Sequence, residues 1–391
     1  MDRKTLITLI LLTALSTLSL NMFLPSLPGI AAEFEVDYAT VSVAIAGYLA
    51  VTGVLQLIAG PLSDRYGRRP VLLAALAIFA GASLICLLAQ DITTFLAGRL
   101  LQGAVIAGHT MSMAIVRDRV EERKAASLIG YIAMAMAVAP MLGPVLGGVL
   151  ESGFGWRASF AVYTVAGSLL LLWCAYDLEE TRRSSDQSLK EQMRAYRDLL
   201  GQRRFWGFAM CSAFSTGAFY AFLTGTPLVA SQSLGLSTSA LGVYLGSITA
   251  GFMTGSFLSG RYSMRFGLIP MILAGRTVAS VSMVIGLGFL ASGIFTPASF
   301  FGLTIFVGLG NGLTMPNTNA GAMSVRPDLA GSAAGLGGSV NVAFGAILTW
   351  VTGLLLSAVP SPATLLTIML IASAMGGIAA LFARERAAIA A

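Results

Sequence analysis

One pattern governs this chain: apolar runs of about 20 residues follow one another, separated by short charged or Gly/Pro-rich turns. They fall at about 5–27, 39–62, 70–90, 94–116, 124–150 and 157–177, and resume at about 206–231, 238–262, 268–291, 297–323, 330–357 and 363–383. In hydrocarbon a lone strand leaves its backbone N–H and C=O groups unpaired, so each run must be helical. Crossing a bilayer takes roughly 30 Å of helix, and twelve such spans with short turns consume nearly all 391 residues. The pattern predicts an all-α membrane protein of twelve transmembrane helices.

Composition agrees. Only 11% of residues are charged and 56% are hydrophobic, with a mean hydropathy of +0.81. A soluble domain carries about a quarter charged residues. The formal charge of +6 does not imply a nucleic-acid partner, because the basic residues are spread along the chain in turns. With the N-terminus in the cytoplasm, nearly all 24 Lys and Arg lie on the inner side, and Arg157 alone stands outside. That asymmetry predicts a multi-pass protein of a bacterial inner membrane with both termini cytoplasmic. A cleaved signal peptide is the alternative for the first run, which is too long for a signal h-region and lacks a small-x-small cleavage site.

The long polar stretch from Asp177 to Arg204 divides the chain. It predicts a six-helix bundle over 1–178, a cytoplasmic linker over 179–204 and a second bundle over 205–391, with part of the linker an amphipathic helix on the membrane face. The halves repeat. Gly60, Ser63, Arg65, Gly67 and Pro70 recur 200 positions later as Gly260, Ser263, Arg265, Gly267 and Pro270. Phe23, Leu24 and Pro28 parallel Phe222, Leu223 and Pro227; Gln102, Gly103 and Arg117 parallel Asn311, Gly312 and Arg326. Duplicated halves are the mark of many secondary transporters.

Four fragments carry a family resemblance: the turn Gly60–Pro70, Asn21–Pro28 in span 1, Arg99–Gly103 in span 4 and Pro140–Gly148 in span 5. Together they resemble the major facilitator superfamily, and within it the drug:proton antiporters of the bicyclomycin/chloramphenicol-resistance type. The resemblance covers essentially the whole chain. It implies two pseudo-symmetric six-helix bundles that give alternating access to a site near the midplane. Span 5 resembles the motif of exporters rather than importers.

In the first turn, Gly60 and Gly67 permit tight backbone geometry. Asp64, Arg65, Arg68 and Arg69 can cap helices or pair with acids, and the resemblance implies Asp118 and the start of span 11 near Gly331 as partners. The set reads as a gate on the inner side; the alternative is that the arginines only fix topology. The second copy has Met264 in place of the acid. In span 5, Gly143, Pro144, Gly147 and Gly148 predict close helix packing.

Polar side chains inside the membrane are costly unless paired or lining a cavity. Arg99, Gln102, Ile106, His109 and Met113 share one helical face. At 1.5 Å per residue, Arg99 and Asn21 lie at one level, roughly 9 Å from the midplane. The resemblance implies an acid at position 21, where this chain has an amide. All eighteen acidic residues fall in turns, span ends or the linker, Glu33 and Asp91 among the outer ones. His109, the only histidine, is then the best-placed proton carrier; otherwise it is a neutral hydrogen-bonding group.

Asn21, His109, Met113, Tyr220, Asn311 and Asn341 are the expected substrate contacts, with His109 and Arg99 the expected proton-coupling pair. Met111, Met134 and Met136 serve either adaptable contact or packing. Arg276 in span 9 is expected to snorkel. The three cysteines have neither metal-ligand nor disulfide spacing, and there is no Walker loop. No cofactor, metal or enzymatic activity is expected. The predicted function is proton-driven export of a small, moderately apolar compound by a monomer, against an uncoupled facilitator or importer and a non-transporting sensor. Its partners are the substrate, protons and the lipid bilayer.

Overall fold

A computed structural model describes residues 3–120, 122–181 and 189–383. Within these, the side chains of 117, 122–127, 129–131, 133–137 and 189–192 lie outside the description, Arg117, Met134 and Met136 among them, as do residues 182–188 of the expected linker. Among the described residues every regular element is a helix.

Span 1 is α1 (Arg3–Asn21) followed by a 3-10 turn over Leu24–Ser26 and α2 (Leu27–Glu33). Spans 2 and 3 are α3 (Tyr38–Tyr66) and α4 (Arg68–Leu88). Span 4 is also broken: α5 (Ile92–Gln102), a 3-10 turn over Gly103–Val105, then α6 (Ile106–Arg119). Next come α7 (Glu122–Phe154), α8 (Arg157–Asp177) and the linker helix α9 (Leu189–Leu200). The second half runs α10 (Arg203–Ser233), α11 (Thr238–Phe266), α12 (Leu268–Ala291), α13 (Pro297–Ser324), α14 (Ala330–Ala358) and α15 (Pro362–Phe382).

Among the described residues, nine of these segments are long and apolar enough to cross a membrane. The other three in the series of twelve are the broken span 4, α7 and α10. The first and last of these bury polar side chains, among them Arg99, Gln102, Ser112, Ser212, Ser215 and Thr224.

Turn chemistry places the boundaries. Asp37 and Asp91 accept the amide N–H of Thr40 and Thr94 at 2.8 and 2.9 Å, capping α3 and α5. Thr296 and Ser299 form a capping box at α13. Gly67 and Gly267 stand at φ +101° and +82° between their long helices, so the repeat seen in the sequence is a repeat of backbone geometry.

The chain groups into two compact units. The first comprises Met1–Asp186 with Pro227–Gly246. Here α7 lies against the break in span 1: a Cβ on Gly143 would sit 3.1 Å from that of Asn21, and one on Gly147 would strike the carbonyl oxygen of Met22. On another side Gly148 meets the carbonyl of Thr238, while Gly242 meets that of Pro144 and Gly246 that of Met141. These close backbone contacts draw the start of α11 to this unit.

The second unit comprises Gln187–Thr226 and Ser247–Ala391. Gly251 and Gly255 of α11 abut the carbonyls of Ile305 and Leu309, and Gly308 and Gly312 of α13 abut those of Ile248 and Phe252. The two small-x-x-x-small stripes seat each other. The linker helix α9 buries Ala195 and Leu199, the latter in a core with Phe205, Phe208 and Ile272. Met193 and Leu200 of the same helix remain exposed.

Candidate functional site

The first unit holds a cation in an aromatic box. Span 1 stops being helical after Asn21, ahead of Pro25, and this brings Phe23 over the guanidinium of Arg99 at 4.1 Å. Tyr48 of α3 lies 4.7 Å from it and Phe160 of α8 5.9 Å. Arg99 is fully buried. It donates to the carbonyls of Ser19 (3.2 Å) and Ala44 (3.4 Å) and to Gln102 Oε1 (2.5 Å), while Nη2 has no partner. Gln102 Nε2 donates on to Ser83 Oγ at 2.6 Å, and Tyr48 and Ser19 share a hydrogen bond of 2.6 Å. Carbonyl dipoles and ring faces, each stack worth roughly 0.5–2 kcal/mol, take the place of a counter-ion.

Asn21, level with this box, turns elsewhere: Nδ2 donates to Thr17 O at 2.8 Å, and the buried Oδ1 lacks a partner. The single helical face expected for span 4 is interrupted by the 3-10 turn at Gly103, where a Cβ would meet Val51 Cγ1 at 2.9 Å. Arg99 and Gln102 are therefore buried, whereas Ile106, His109 and Met113 are half-buried. His109 keeps a buried Nδ1 without a hydrogen bond. Met111 is wholly buried and packs in the core.

The second unit holds a matching cation. Arg276 of α12 is only 2% exposed, so it does not snorkel as the sequence led us to expect. It donates to Asn311 Oδ1 (2.6 Å) and Thr314 Oγ1 (3.0 Å), both on α13. Gly275 and Gly310 allow that approach: a Cβ on Gly275 would lie 2.5 Å from the Gly310 carbonyl. Asn311 Nδ2 donates to Ser215 O at 3.2 Å, so both its polar atoms are engaged within the bundle.

Asn341 differs. It donates to Ser212 Oγ at 2.9 Å, and its Oδ1 is unpartnered. It lines a cleft of about 210 Å³ between α10, α13 and α14, with Phe208, Ser212, Thr318, Asn319 and Met323. Tyr220 lies over Gly345, where a Cβ would come 2.5 Å from the ring, and 5.7 Å from the Phe219 ring.

At the Gly67 turn, Arg68 pairs with Asp64 (2.6 Å) and Asp118 (3.2 Å) and also donates to Ser63 Oγ. Sequence reasoning missed a further member. Glu180, just past α8, accepts the amides of Arg68 (2.9 Å) and Arg69 (3.2 Å), closing the start of α4. Gly67 leaves room for that carboxylate. Arg69 Nη2 donates to Ala175 O at 2.5 Å and Arg119 pairs with Glu179 at 3.2 Å; Gly60 has open space around it. Arg65 stacks on Tyr66 at 5.4 Å.

At the other end, Glu33 pairs with Arg157 and accepts Trp156 Nε1–H at 2.5 Å, so it is not a free loop acid. Glu151 of α7 is half-buried against Gly29, with Oε2 unpartnered, a placement its position near a helix end did not signal.

Long helices in two repeated sets, small-residue seams and buried arginines that meet no carboxylate among the described residues define a multi-pass membrane transporter. A profile of the Major Facilitator Superfamily matches residues 9–349. The chain is 32% identical to the uncharacterized MFS-type transporter YdgK of Bacillus subtilis, covering 88% of this chain and 87% of that protein. It is 31% identical to the multidrug resistance protein MdtL of Escherichia fergusonii, covering 81% of each. Among solved structures, a bacterial homologue of the human lysosomal transporter Spinster, inward-facing and occupied, superposes with a TM-score of 0.79 at 17% identity, over 97% of this chain and 95% of that one. A D-xylose–proton symporter gives 0.77 at 14% identity, over 98% of each. The chain belongs to the major facilitator superfamily.

Proposed function

We propose that this transporter exports a small, moderately apolar compound by alternating access in exchange for protons. It would sit in a bacterial inner membrane as a monomer with both termini cytoplasmic. The observation that carries the proton half of the reading is the orphan Nδ1 of His109 on a half-buried ring. It is the only side chain of the sequence whose unperturbed charge change falls near neutral pH. Export of a drug-like solute is supported by the relationship to the multidrug resistance protein and by the glycine seam of span 5.

In this reading His109, Met113, Asn21, Tyr220 and Asn341 contact substrate, and Asn311 acts through Arg276. Arg99 sets the field that His109 protonation must work against. The set of Asp64, Arg68, Asp118 and Glu180, with Arg65, Arg69 and the two turn glycines beside it, acts as the inner latch.

A specific observation favours a second reading, an uncoupled facilitator or importer of a neutral metabolite: position 21 is an amide, and no carboxylate meets Arg99 among the described residues. Proteoliposomes separate the two. Efflux of a fluorescent lipophilic dye should follow an imposed pH gradient, and His109→Gln should flatten its pH dependence. Efflux indifferent to collapse of the gradient would leave only the facilitator.

A further inference from the structure

The outer wall of the second unit carries an apolar furrow that the transport reading does not use. It runs between α10 and α15 with a volume of about 270 Å³, lined by Trp206, Met210, Phe214, Met375, Ile378 and Phe382. Gly207 and Ala379 also line it, the latter between Met375 and Phe382 on α15. Met375, Ile378 and Phe382 are 40%, 49% and 50% exposed, so in a membrane-spanning chain this wall faces lipid.

What distinguishes the furrow from ordinary annular surface is its mouth. Arg203, the first residue of α10, lines it and stacks its guanidinium 5.1 Å from the Phe382 ring. No carboxylate pairs with Arg203 among the described residues, and Arg204 follows it directly. Trp206 is pinned nearby, donating Nε1–H to Leu200 O at 2.8 Å. A fixed cation and an indole at the level where a helix begins, above an apolar slot, match a phospholipid in order: phosphate, interface, chain. The methionines adapt to a flexible chain.

We propose that this furrow is a binding site for one anionic phospholipid, its phosphate at Arg203 and an acyl chain between α10 and α15. A lipophilic cation, the other candidate for such a slot, is repelled at its mouth. The proposal needs only that the chain spans a membrane and is independent of substrate and coupling.

The test uses the purified full-length protein and lipids with identical chains, phosphatidylglycerol and phosphatidylcholine, read as retained lipid by native mass spectrometry and as a thermal shift. One basic residue at an anionic surface is worth roughly 1 kcal/mol, about a fivefold preference for phosphatidylglycerol. Arg203→Gln should abolish the preference and Arg203→Lys should keep most of it. Ala379→Phe, or Ala379→Leu if the larger side chain impairs folding, should weaken both lipids by filling the slot. An unchanged preference in Arg203→Gln overturns the site, as does undiminished binding in both Ala379 variants. Equal competition by soluble glycerol phosphate would mean a free-phosphate site, and displacement by a lipophilic cation a drug groove; either also overturns it.

Discussion

Arg276 donates to Asn311 at 2.6 Å, at the very position of the second half where Gln102 accepts from Arg99 at 2.5 Å in the first. The repeat thus preserves an amide that receives a buried arginine, although that arginine comes from the same span in one half and from a neighbouring span in the other. This recasts Asn311 as a support for a buried charge. Asn311→Asp should keep the fold, since a carboxylate accepts from the same guanidinium. Asn311→Leu leaves that donor unanswered and should cost about 1.5–3 kcal/mol, given what a hydrogen bond to a charged group contributes. Thermal unfolding in detergent checks this; a Leu variant as stable as the parent would show that Arg276 needs no amide.

Asn21 offers the sharpest probe of coupling. Its Oδ1 has no partner, and Arg99 retains a free Nη2 in a box without acids. Asn21→Asp adds a titratable group at the level of that cation. Transport by the variant should become more steeply dependent on pH than the parent's, in the range where the new carboxylate takes up a proton. Identical pH profiles for Asn21→Asp and parent would mean that span 1 plays no part in proton handling.

Glu180 ties the segment after α8 to the start of α4 by accepting two successive amides. Removing an N-terminal cap costs about 1 kcal/mol. Glu180→Ala should lower stability by that amount, and Glu180→Gln by less, because one acceptor oxygen survives. Both should also slow transport if the Gly67 turn is a latch. Loss of stability with an unchanged rate would make the cap purely structural.

How much of this was legible in the sequence depends on which force sets each feature. The spans were, because lipid admits no other backbone for runs of that length. The Arg68–Asp64 pair was, because a compact motif carries it; Asp118, 50 residues from Arg68, came only from the family resemblance. The partners of Arg276 were not: they lie 35 and 38 residues away, and reading depth at a fixed rise gives a residue's level but not which way it faces. The breaks after Asn21 and at Gly103 had signals, Pro25 and a glycine, yet their consequence was tertiary. One turns Phe23 onto Arg99; the other takes His109 out of phase with it. Glu180 was hidden by its setting, since acids in a polar linker read as solvated.

Asp91 yields a pH prediction outside the membrane. The Thr94 hydroxyl (2.7 Å) and then its amide (2.9 Å) hold the Asp91 carboxyl below the usual carboxylate range. A carboxylate depressed in the folded state contributes stability above its unfolded pKa of about 3.9, and loses it as pH falls through the folded value. Asp91→Ala should therefore melt earlier than the parent at neutral pH, and the gap should narrow once pH falls below that range. A gap that stays constant down to roughly pH 2 would assign the cap's effect to something other than charge.

Two glycines of α7 separate packing from flexibility. Both are helical, so replacing either with Ala favours the helix by up to about 1 kcal/mol. Gly153 has nothing within 4 Å of an added Cβ, and Gly153→Ala should be neutral or stabilising. At Gly147 the same methyl runs into the Met22 carbonyl oxygen and lies 2.6 Å from its carbon. That neighbour is backbone, in the broken stretch between Asn21 and Phe23, and it cannot yield without moving the ring that covers Arg99. Overpacking of this kind costs about 1–3 kcal/mol, which exceeds the helix gain at all but its lower end. Gly147→Ala should therefore lower the melting temperature and, by displacing span 1, change the pH dependence of transport as well as its rate. If the two variants behave alike in both assays, the seam between α7 and span 1 is slack enough to admit a methyl group, and close packing there does not position the cation.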